Sequence, residues 1–381
     1  MTCRPDDCRI RSMEPKGEEA EAVMAHGDHD AVRSRPAVAL EVVPDYTIWS
    51  QINVDEVHPW EGAGPTVQLG GAASYAALGV RLVCPPDRIV RVIGGVGADF
   101  EPRFWQWFED RNIDTSGVER RSEHTPRSKL LYGSNGDRVE YPLLGLEHFR
   151  QFSLDVADLA GVNLRCRGLY VFREAQRQFW EELVSALNIS GAKVLWEIDR
   201  TSCRPACWAD VSAVMRSIDV FSINHTEAAL LVGCDEVEKC LETLRSAFEG
   251  VLLYRMGADG SYVIEGSKVL RVSAVAPRRT VDPTGAGNAY GGAFLAAWCE
   301  EFGNLEGACR LAAGVAGLVA GAWGLPSDSE GQLVLETQEL AGRAEVEDFS
   351  LTSESPAESA TGCDHQEESQ CVPNQASRRS V

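Results

Sequence analysis

Residues 280–298 read TVDPTGAGNAYGGAFLAAW, a proline and two glycines followed at once by small apolar residues. Pro283 favours an extended entry, and Gly285 and Gly287 permit backbone angles that other residues resist. The apolar run predicts a helix that begins at about residue 286. Unpaired N–H groups and the positive dipole end at the start of such a helix form a site for an anion. An ordinary loop-to-helix turn with packing glycines is the alternative for this stretch alone.

Working outward, short apolar runs rich in β-branched residues alternate with helical patterns. The runs lie at 88–94, 168–172, 193–199, 219–224 and 250–257, and the helical patterns at 173–191 and 226–233. This order predicts an α/β fold with parallel strands that helices cover. The runs are apolar throughout because a parallel sheet buries both of its faces.

A small β lid is predicted beside the main sheet. Residues 128–142 contain Asn135-Gly136 between two partly alternating segments, which is a hairpin signal. Together with residues 46–57 this hairpin could form a second sheet that excludes water from a site.

Composition is that of a globular protein with acidic ends. The chain has 381 residues, 44% hydrophobic and 24% charged, with a net charge of −21. Such a charge argues against nucleic acid and anionic membranes as partners. We expect a disordered leader at 1–36, one continuous domain at 37–330, and an acidic disordered tail at 331–381.

The chain is expected to be cytoplasmic. It has no run of about 18 apolar residues, and its N-terminus lacks the apolar centre of a secretory signal. The twelve cysteines contain no C-x-x-C and no zinc-like spacing, so reduced, half-buried thiols are expected. No G-x-x-x-x-G-K-[ST], H-E-x-x-H or G-x-S-x-G occurs.

Five segments together resemble the PfkB-type kinases of the ribokinase-like family. DPTGAGN (282–288) is similar to their D-T-x-G-A-G-D signature. The other four, in the family's order, are QLGGAASYAALGVRL (68–82), VIGGVGADF (92–100), SINHTE (222–227) and YRMGADGSYVI (254–264). G-G-x-x-x-Y-A-A-L-G and D-P-T-G-x-G-N also resemble a divergent branch that includes fungal maintenance-of-killer proteins. The resemblance implies a three-layer α/β/α sandwich with a mostly parallel central sheet.

The resemblance also implies ATP and Mg²⁺ as cofactors. The backbone amides of Gly285, Ala286 and Gly287 would hold the γ-phosphoryl group. Asn224 and Glu227 would organise Mg²⁺, with Glu227 acting through water. A capping box at a helix start is an equal and compatible interpretation of Asn224 and Glu227.

The remaining nucleotide and acceptor residues follow from the same resemblance. Gly257 and Gly260 would let the backbone approach adenine and ribose, and Arg255 and Thr284 would lie near the phosphates. For Arg255, the alternative is a surface charge at the end of a strand. On the acceptor side, Asp55 would bind sugar hydroxyls, Gly70 and Gly71 would leave room for the ring, and Tyr75 replaces a family Asn, which suggests an altered acceptor or a filled pocket.

Asn288 occupies the position of the family's catalytic Asp. An amide cannot take a proton from the acceptor hydroxyl, and general-base help contributes about 10²–10⁴ in rate. A slow kinase, a kinase with a relocated base, and a binding protein that no longer catalyses all remain open. Asp282 is the nearest other acid but is better placed to orient the loop. If the missing carboxylate is the defect, Asn288→Asp should raise activity about a hundredfold.

The predicted function is therefore ATP-dependent phosphorylation of a hydroxyl on a sugar or nucleoside-like small molecule. The alternative is a catalytically impaired pseudokinase with a regulatory or scaffolding role. The resemblance also suggests a homodimer formed through the lid.

Overall fold

Ten strands form the main sheet, and the six at its centre are buried along most of their length, as their apolar sequences require, whereas the two edge strands are largely unburied. The computed structural model describes residues 42–59, 64–133, 138–159, 164–187, 191–277 and 281–351. In spatial order the strands are β14 (Val346–Asp348), β13 (Lys268–Val272), β12 (Ser261–Glu265), β11 (Val251–Arg255), β10 (Val220–Asn224), β9 (Lys193–Ile198), β8 (Gly168–Arg173), β1 (Tyr46–Trp49), β4 (Val90–Gly97) and β5 (Ile113–Ser122).

In this spatial order, the last seven strands, which begin with β11 and end with β5, run parallel to one another. Strands β12, β13 and β14 extend the sheet beyond β11 by antiparallel pairing. All five apolar runs identified in the sequence are strands of the parallel part. Their carboxyl ends therefore meet at one edge, where side chains from different strands converge.

Helices cover both faces of the sheet and form two separate buried clusters. One face carries α1 (Ala72–Val83), α2 (Pro102–Glu109), α8 (Ala286–Glu300), α9 (Leu305–Ala320) and α10 (Glu330–Gly342). The other carries α4 (Arg177–Leu187), α5 (Trp208–Met215), α6 (His225–Val232) and α7 (Val237–Ala247), and α3 (Gly145–Arg150) follows the lid. The predicted three-layer α/β/α sandwich is confirmed. None of the described helices combines the length and hydrophobicity needed to cross a bilayer.

Helices α1 and α8 pack with their backbones in contact. A Cβ added at Gly79 would lie 2.2 Å from the carbonyl oxygen of Ala289, and one at Gly292 would lie 2.2 Å from that of Ala76. Real Cβ atoms do not approach so closely, so both glycines are required by this packing. The contact fixes where the N-terminus of α8 lies relative to α1.

A four-stranded lid lies outside the main sheet, in the order β3 (Thr66–Gly70), β2 (Asn53–His58), β6 (Arg127–Tyr132) and β7 (Arg138–Pro142). The prediction that 46–57 belongs wholly to the lid is wrong. Tyr46–Trp49 is buried on both faces and forms strand β1 of the main sheet, between β8 and β4, and only Asn53–His58 crosses into the lid. The turn at Asn135-Gly136 lies outside the described residues.

The ordered domain extends beyond residue 330, so the prediction of a disordered tail from 331 is wrong for residues 331–351. Leu333 and Leu340 of α10 are buried against the α1, α8 and α9 cluster. At the start of α10, Arg81 Nε lies 3.4 Å from Glu330 Oε1. The many acidic residues of this segment suggested disorder, although Leu333 and Leu340 recur at helical spacing on its buried face. The predicted leader at 1–36 and residues 352–381 lie outside the described residues.

Candidate active site

The glycine turn at the start of α8 leaves two backbone amides available. Gly285 is the N-cap residue with φ of +76°, and no side chain caps the helix. The amide of Ala286 donates to the carbonyl of Pro283 at 3.2 Å, whereas those of Gly287 and Asn288 have no acceptor among the described residues. Together with the helix dipole, these two amides form an anion site.

Arg255, at the end of β11, brings a positive charge to this turn. A Cβ added at Gly287 would lie 1.9 Å from Arg255 Nη1, so the guanidinium lies directly against the backbone of Gly287. Arg255 Nη2 donates to Glu197 Oε1 at 2.9 Å, and the two side chains are only 12% and 5% exposed. The alternative of a surface charge at a strand end is therefore wrong for Arg255.

Electrostatics and hydrogen bonding favour a further partner for this arginine. Burial alone would lower the pKa of Arg255, but the carboxylates of Glu197 and then Glu227 raise it, so the guanidinium stays charged. Its Nε is buried and has no hydrogen-bond partner among the described residues. An unpaired guanidinium N–H beside two unpaired amides suits an oxyanion with several oxygens.

Asn288 belongs to a buried polar network. Its Nδ2 donates to Glu197 Oε1 at 3.0 Å and to the hydroxyl of Tyr170 at 3.2 Å. Tyr170 in turn donates to Glu197 Oε2 at 2.6 Å. Burial, with the negative charge of Glu197, raises the pKa of Tyr170 well above its usual value, so its hydroxyl keeps its proton.

Asp282 orients the loop, as expected from its place in the sequence. It is 1% exposed, and its Oδ1 accepts from the amide of Thr284 at 2.9 Å and from the hydroxyl of Tyr132 at 2.5 Å. The hydroxyls of Tyr132 and Thr284 are also 2.8 Å apart. Because Tyr132 ends lid strand β6, these bonds fasten the lid to the glycine turn.

Asn224 and Glu227 form the capping box at the start of α6. Asn224 Oδ1 accepts from the amide of Glu227 at 2.9 Å, and Glu227 Oε2 accepts from the amide of Asn224 at 3.1 Å. Burial raises the pKa of Glu227, although nearby Arg255 opposes the shift. The capping box accounts for one carboxylate oxygen of Glu227, Oε2.

No group of three acidic, His or Cys side chains that could hold a metal occurs within the described ranges. Mg²⁺ usually keeps several waters and binds proteins through one or two carboxylates together with substrate phosphates, and the carboxylate of Glu227 is a donor of that kind. The donor set around Glu227 is therefore compatible with Mg²⁺ carried by a nucleotide.

The two glycines after β11 differ in surroundings. Gly260 has φ of +90°, and a Cβ there would lie 2.0 Å from the carbonyl of Val272, so it serves the packing of the sheet edge. Gly257 has φ of +60° and open space where a Cβ would be. Of the pair, Gly257 is the residue whose backbone a ligand could approach.

The predicted acceptor residues lie on the lid side of the turn. The carboxylate of Asp55 lies against Gly70, where a Cβ would be 1.8 Å from Oδ2. Gly71 has φ of +85° and is the N-cap residue of α1. Tyr75, 1% exposed, covers Gly285, since a Cβ there would be 2.2 Å from its ring. Tyr75 therefore acts on the site through Gly285.

Comparison with known proteins identifies the family of this chain. The family model described as pfkB family carbohydrate kinase matches residues 45–330. The chain belongs to the pfkB carbohydrate kinase family. Membership makes it a phosphotransferase with an alcohol group as acceptor. A 2-dehydro-3-deoxygluconokinase of Thermoproteus tenax is 32% identical over 282 residues, covering 64% of this chain and 79% of the relative. An uncharacterised protein of Schizosaccharomyces pombe is 27% identical, covering 69% and 80%.

Solved pfkB-like structures share the fold. A nucleoside kinase of Burkholderia thailandensis in complex with inosine aligns with a TM-score of 0.63 at 16% identity, covering 78% of this chain and 98% of that one. The ribokinase of Arabidopsis thaliana complexed with ribose and ATP aligns with a TM-score of 0.60 at 19% identity, covering 79% and 99%.

Three residues of this candidate site were missed by sequence reasoning, namely Glu197, Tyr170 and Tyr132. Glu197 carried a signal, because an acid between Trp196 and Ile198 interrupts an otherwise apolar strand. Buried charges need partners, so that acid implied a cation and donors nearby. Tyr170 and Tyr132 are ordinary strand residues, and nothing in their sequence surroundings distinguishes them.

Proposed function

We propose that this chain transfers the γ-phosphoryl group of ATP, with Mg²⁺, to a hydroxyl of a sugar or nucleoside-like small molecule. The observation that carries the proposal is the conjunction at the start of α8 of the unpaired amides of Gly287 and Asn288 with the guanidinium of Arg255. Phosphoryl transfer depends mainly on positioning and on neutralising the charge that spreads over the phosphoryl oxygens. This arrangement supplies both.

The nucleotide would lie between this turn and the β11–β12 connection. The amides of Gly287 and Asn288 would donate to the terminal phosphate from the turn that Gly285 and Ala286 form, with Thr284 and Arg255 beside them and the open side of Gly257 toward the nucleoside. The ATP found with the Arabidopsis ribokinase supports ATP as the donor. Glu227 would reach Mg²⁺ through water, and the ion would neutralise phosphate charge.

The acceptor would lie against the lid. Asp55 would accept hydrogen bonds from its hydroxyls, beside Gly70 and Gly71. The names of the T. tenax and B. thailandensis relatives support a sugar or nucleoside-like acceptor. The bonds from Tyr132 to Asp282 and Thr284 would keep the lid closed over the turn, which favours transfer to the acceptor over transfer to water.

The alternative of a non-catalytic binding protein rested on Asn288 and Tyr75. Each has a structural explanation that leaves the anion site intact. Asn288 serves the Glu197 network through its amino group, and Tyr75 supports Gly285 from the core. Kinase activity is therefore the function that we propose.

Calorimetric titration of ATP with Mg²⁺, followed by assay of ADP release over sugars, sugar acids and nucleosides, tests the proposal. We expect binding and acceptor-dependent ADP release. Arg255→Ala should weaken ATP binding about tenfold or more through loss of a charged hydrogen bond. Asp55→Asn should raise the KM of the acceptor and leave ATP binding unchanged. ATP binding without acceptor-dependent turnover across the panel would contradict a kinase.

We also propose a homodimer through the lid. The lid and the segment after it expose Val67, Val139, Tyr141 and Leu146, of which Leu146 is 65% exposed. Such a surface suits a protein interface. Light scattering after gel filtration should give twice the chain mass, and Tyr141→Glu with Leu146→Glu should give the monomer. A monomeric starting protein would refute this assembly.

Finally, we propose placement in the divergent branch that includes maintenance-of-killer proteins. Residues 70–79 and 282–288 support it, since both carry the branch's pattern. A sequence tree that groups this chain with kinases carrying Asp at position 288 would contradict that placement.

A further inference from the structure

Glu197 sets the chemistry of its neighbours. Its Oε1 accepts from Arg255 and Asn288, and its Oε2 accepts from Tyr170. The side chain is 5% exposed. An ionised carboxylate has only acceptor sites, so every group that faces it at this distance must be a donor. The amino group of the Asn288 amide, and not its oxygen, must therefore point at Glu197.

This orientation decides what Asn288 offers to a ligand. Both amino hydrogens are engaged, one by Glu197 and one by the Tyr170 hydroxyl. Oδ1 lies on the other branch of the planar amide and has no partner among the described residues. Asn288 is half-buried and lies in the first turn of α8, next to the free amide of Gly287. Its side chain can thus only accept a hydrogen bond from a ligand.

We propose that Glu197 is a positioning residue that holds Asn288 so that its Oδ1 accepts the hydrogen bond of the acceptor hydroxyl. This rests on the kinase function proposed above. The hydroxyl oxygen then forms a bond to the γ-phosphorus as the bond to the β,γ-bridging oxygen of ATP breaks and ADP leaves. The hydroxyl proton passes to an oxygen of the transferred phosphoryl group and then to water. Asn288 orients the hydroxyl without taking its proton.

The same geometry changes the expectation for Asn288→Asp. A carboxylate at 288 would lie about 3 Å from that of Glu197, so the two would share a proton, as close carboxylates do. The charged and titratable groups around Glu197 are Arg255 from β11, Tyr170 from β8 and Glu227 from α6, and Arg255 is the one cation among these three neighbours. Asn288→Asp alone would then supply no free base. Moving the carboxylate requires Glu197→Gln together with Asn288→Asp.

The test compares N288D, E197Q, the double variant E197Q/N288D and wild type, each by unfolding midpoint and by the pH profile of kcat. N304D is the matched control, because Asn304 Nδ2 also donates to a glutamate, Glu301 Oε2 at 2.8 Å, but at an exposed site. We expect N288D to unfold at a lower temperature than wild type at pH 8, with a smaller loss at pH 5.5. N304D should show no such pattern.

For activity, we expect N288D to stay at or below wild type. E197Q/N288D should recover stability and raise kcat about tenfold or more, with a new loss of rate at acid pH as the introduced carboxylate becomes protonated. Rescue with a new acid limb is a result that a purely structural role would not produce.

Two outcomes would overturn the inference. One is N288D as stable as wild type at pH 8 and as active as the double variant, which would show that Glu197 does not govern position 288. The other is a double variant whose pH profile equals that of E197Q, which would show that position 288 does not touch the hydroxyl. Absence of turnover in wild type with every acceptor would instead refute the kinase function, and the stability comparison would still decide whether residues 197 and 288 are a matched pair.

Discussion

Gly287 offers the sharpest test of the anion site, because its missing side chain makes room for Arg255. A Cβ there would lie 1.9 Å from Arg255 Nη1, and a carbon and a nitrogen at contact need about 3.5 Å. In Gly287→Ala the guanidinium must therefore shift by about 1.5 Å. The shift would strain or break its bond to Glu197 and remove its charge from the turn.

The expected cost can be bounded from these contacts. Loss of a hydrogen bond to a charged group costs about 1.5–3 kcal/mol, and removal of one partner of a buried ion pair costs about 3–5 kcal/mol. The arginine remains in the variant, so the lower range applies, and better helix propensity of Ala returns up to about 1 kcal/mol. We expect Gly287→Ala to lower the free energy of unfolding by about 0.5–3 kcal/mol. ATP should bind about 10–100-fold more weakly if the displaced guanidinium contacts a phosphate.

Gly331→Ala is the matched control. Gly331 is the second residue of α10, as Gly287 is of α8, and no heavy atom lies within 4 Å of where its Cβ would be. It should be neutral or slightly stabilising. Denaturant unfolding and calorimetric titration with ATP and Mg²⁺ measure both variants, and Gly287→Ala repeated in an Arg255→Ala background isolates the clash. Equal stability and equal ATP affinity of the two glycine variants would refute the contact, as would an unchanged cost without Arg255.

Three further outcomes are expected. Glu227→Gln keeps a capping side chain, so the free energy of unfolding should change by less than about 1 kcal/mol. The Mg²⁺ concentration for half-maximal activity should rise, and an unchanged Mg²⁺ concentration would exclude Glu227 from binding the metal. Tyr132→Phe removes a hydrogen bond to buried Asp282, so it should lower the free energy of unfolding by about 1–3 kcal/mol and raise the KM of the acceptor. An unchanged KM would mean that closure of the lid does not depend on this hydrogen bond. The pKa of Asp99 is lowered to about 2, because hydrogen bonds led by those from Thr125 outweigh the opposing effect of burial. The free energy of unfolding should therefore fall by about 2 kcal/mol as pH falls from 4 to 2. Asp99→Asn should flatten that loss, and an identical pH dependence would contradict the assignment.

Elements with a strong local pattern were predictable from the sequence. The five apolar strands and the start of α8 at Ala286 follow from runs of neighbouring residues, and so does the capping box of Asn224 and Glu227. Each depends on contacts within a few positions of the chain, which is the information that periodicity and capping rules use. The orienting role of Asp282 was also local, because its bond to Thr284 spans two residues.

The parts that failed depend on contacts distant in sequence. Only three residues separate Tyr46–Trp49 from Asn53–His58, and pairing with strands distant in sequence places the first in the main sheet and the second in the lid. α10 looked like a solvated acidic tail because its few apolar residues gain energy only against α1 and α9. The bond from Tyr132 to Asp282 joins residues 150 positions apart. Rules based on local sequence patterns do not take account of contacts between residues so far apart in the chain.

The identity of residue 288 shows why a motif residue has to be judged with its neighbours. Two unit charges 3 Å apart repel by about 5.5 kcal/mol at an effective dielectric constant of about 20. This repulsion is as large as the whole contribution of a general base, which lowers the barrier by roughly 3–5.5 kcal/mol. An aspartate opposite Glu197 would therefore be either ionised and strongly repelled or protonated and useless as a base. With Glu197 at the end of β9, an amide at 288 satisfies the carboxylate and still presents an acceptor. An asparagine at 288 therefore matches this carboxylate better than an aspartate would.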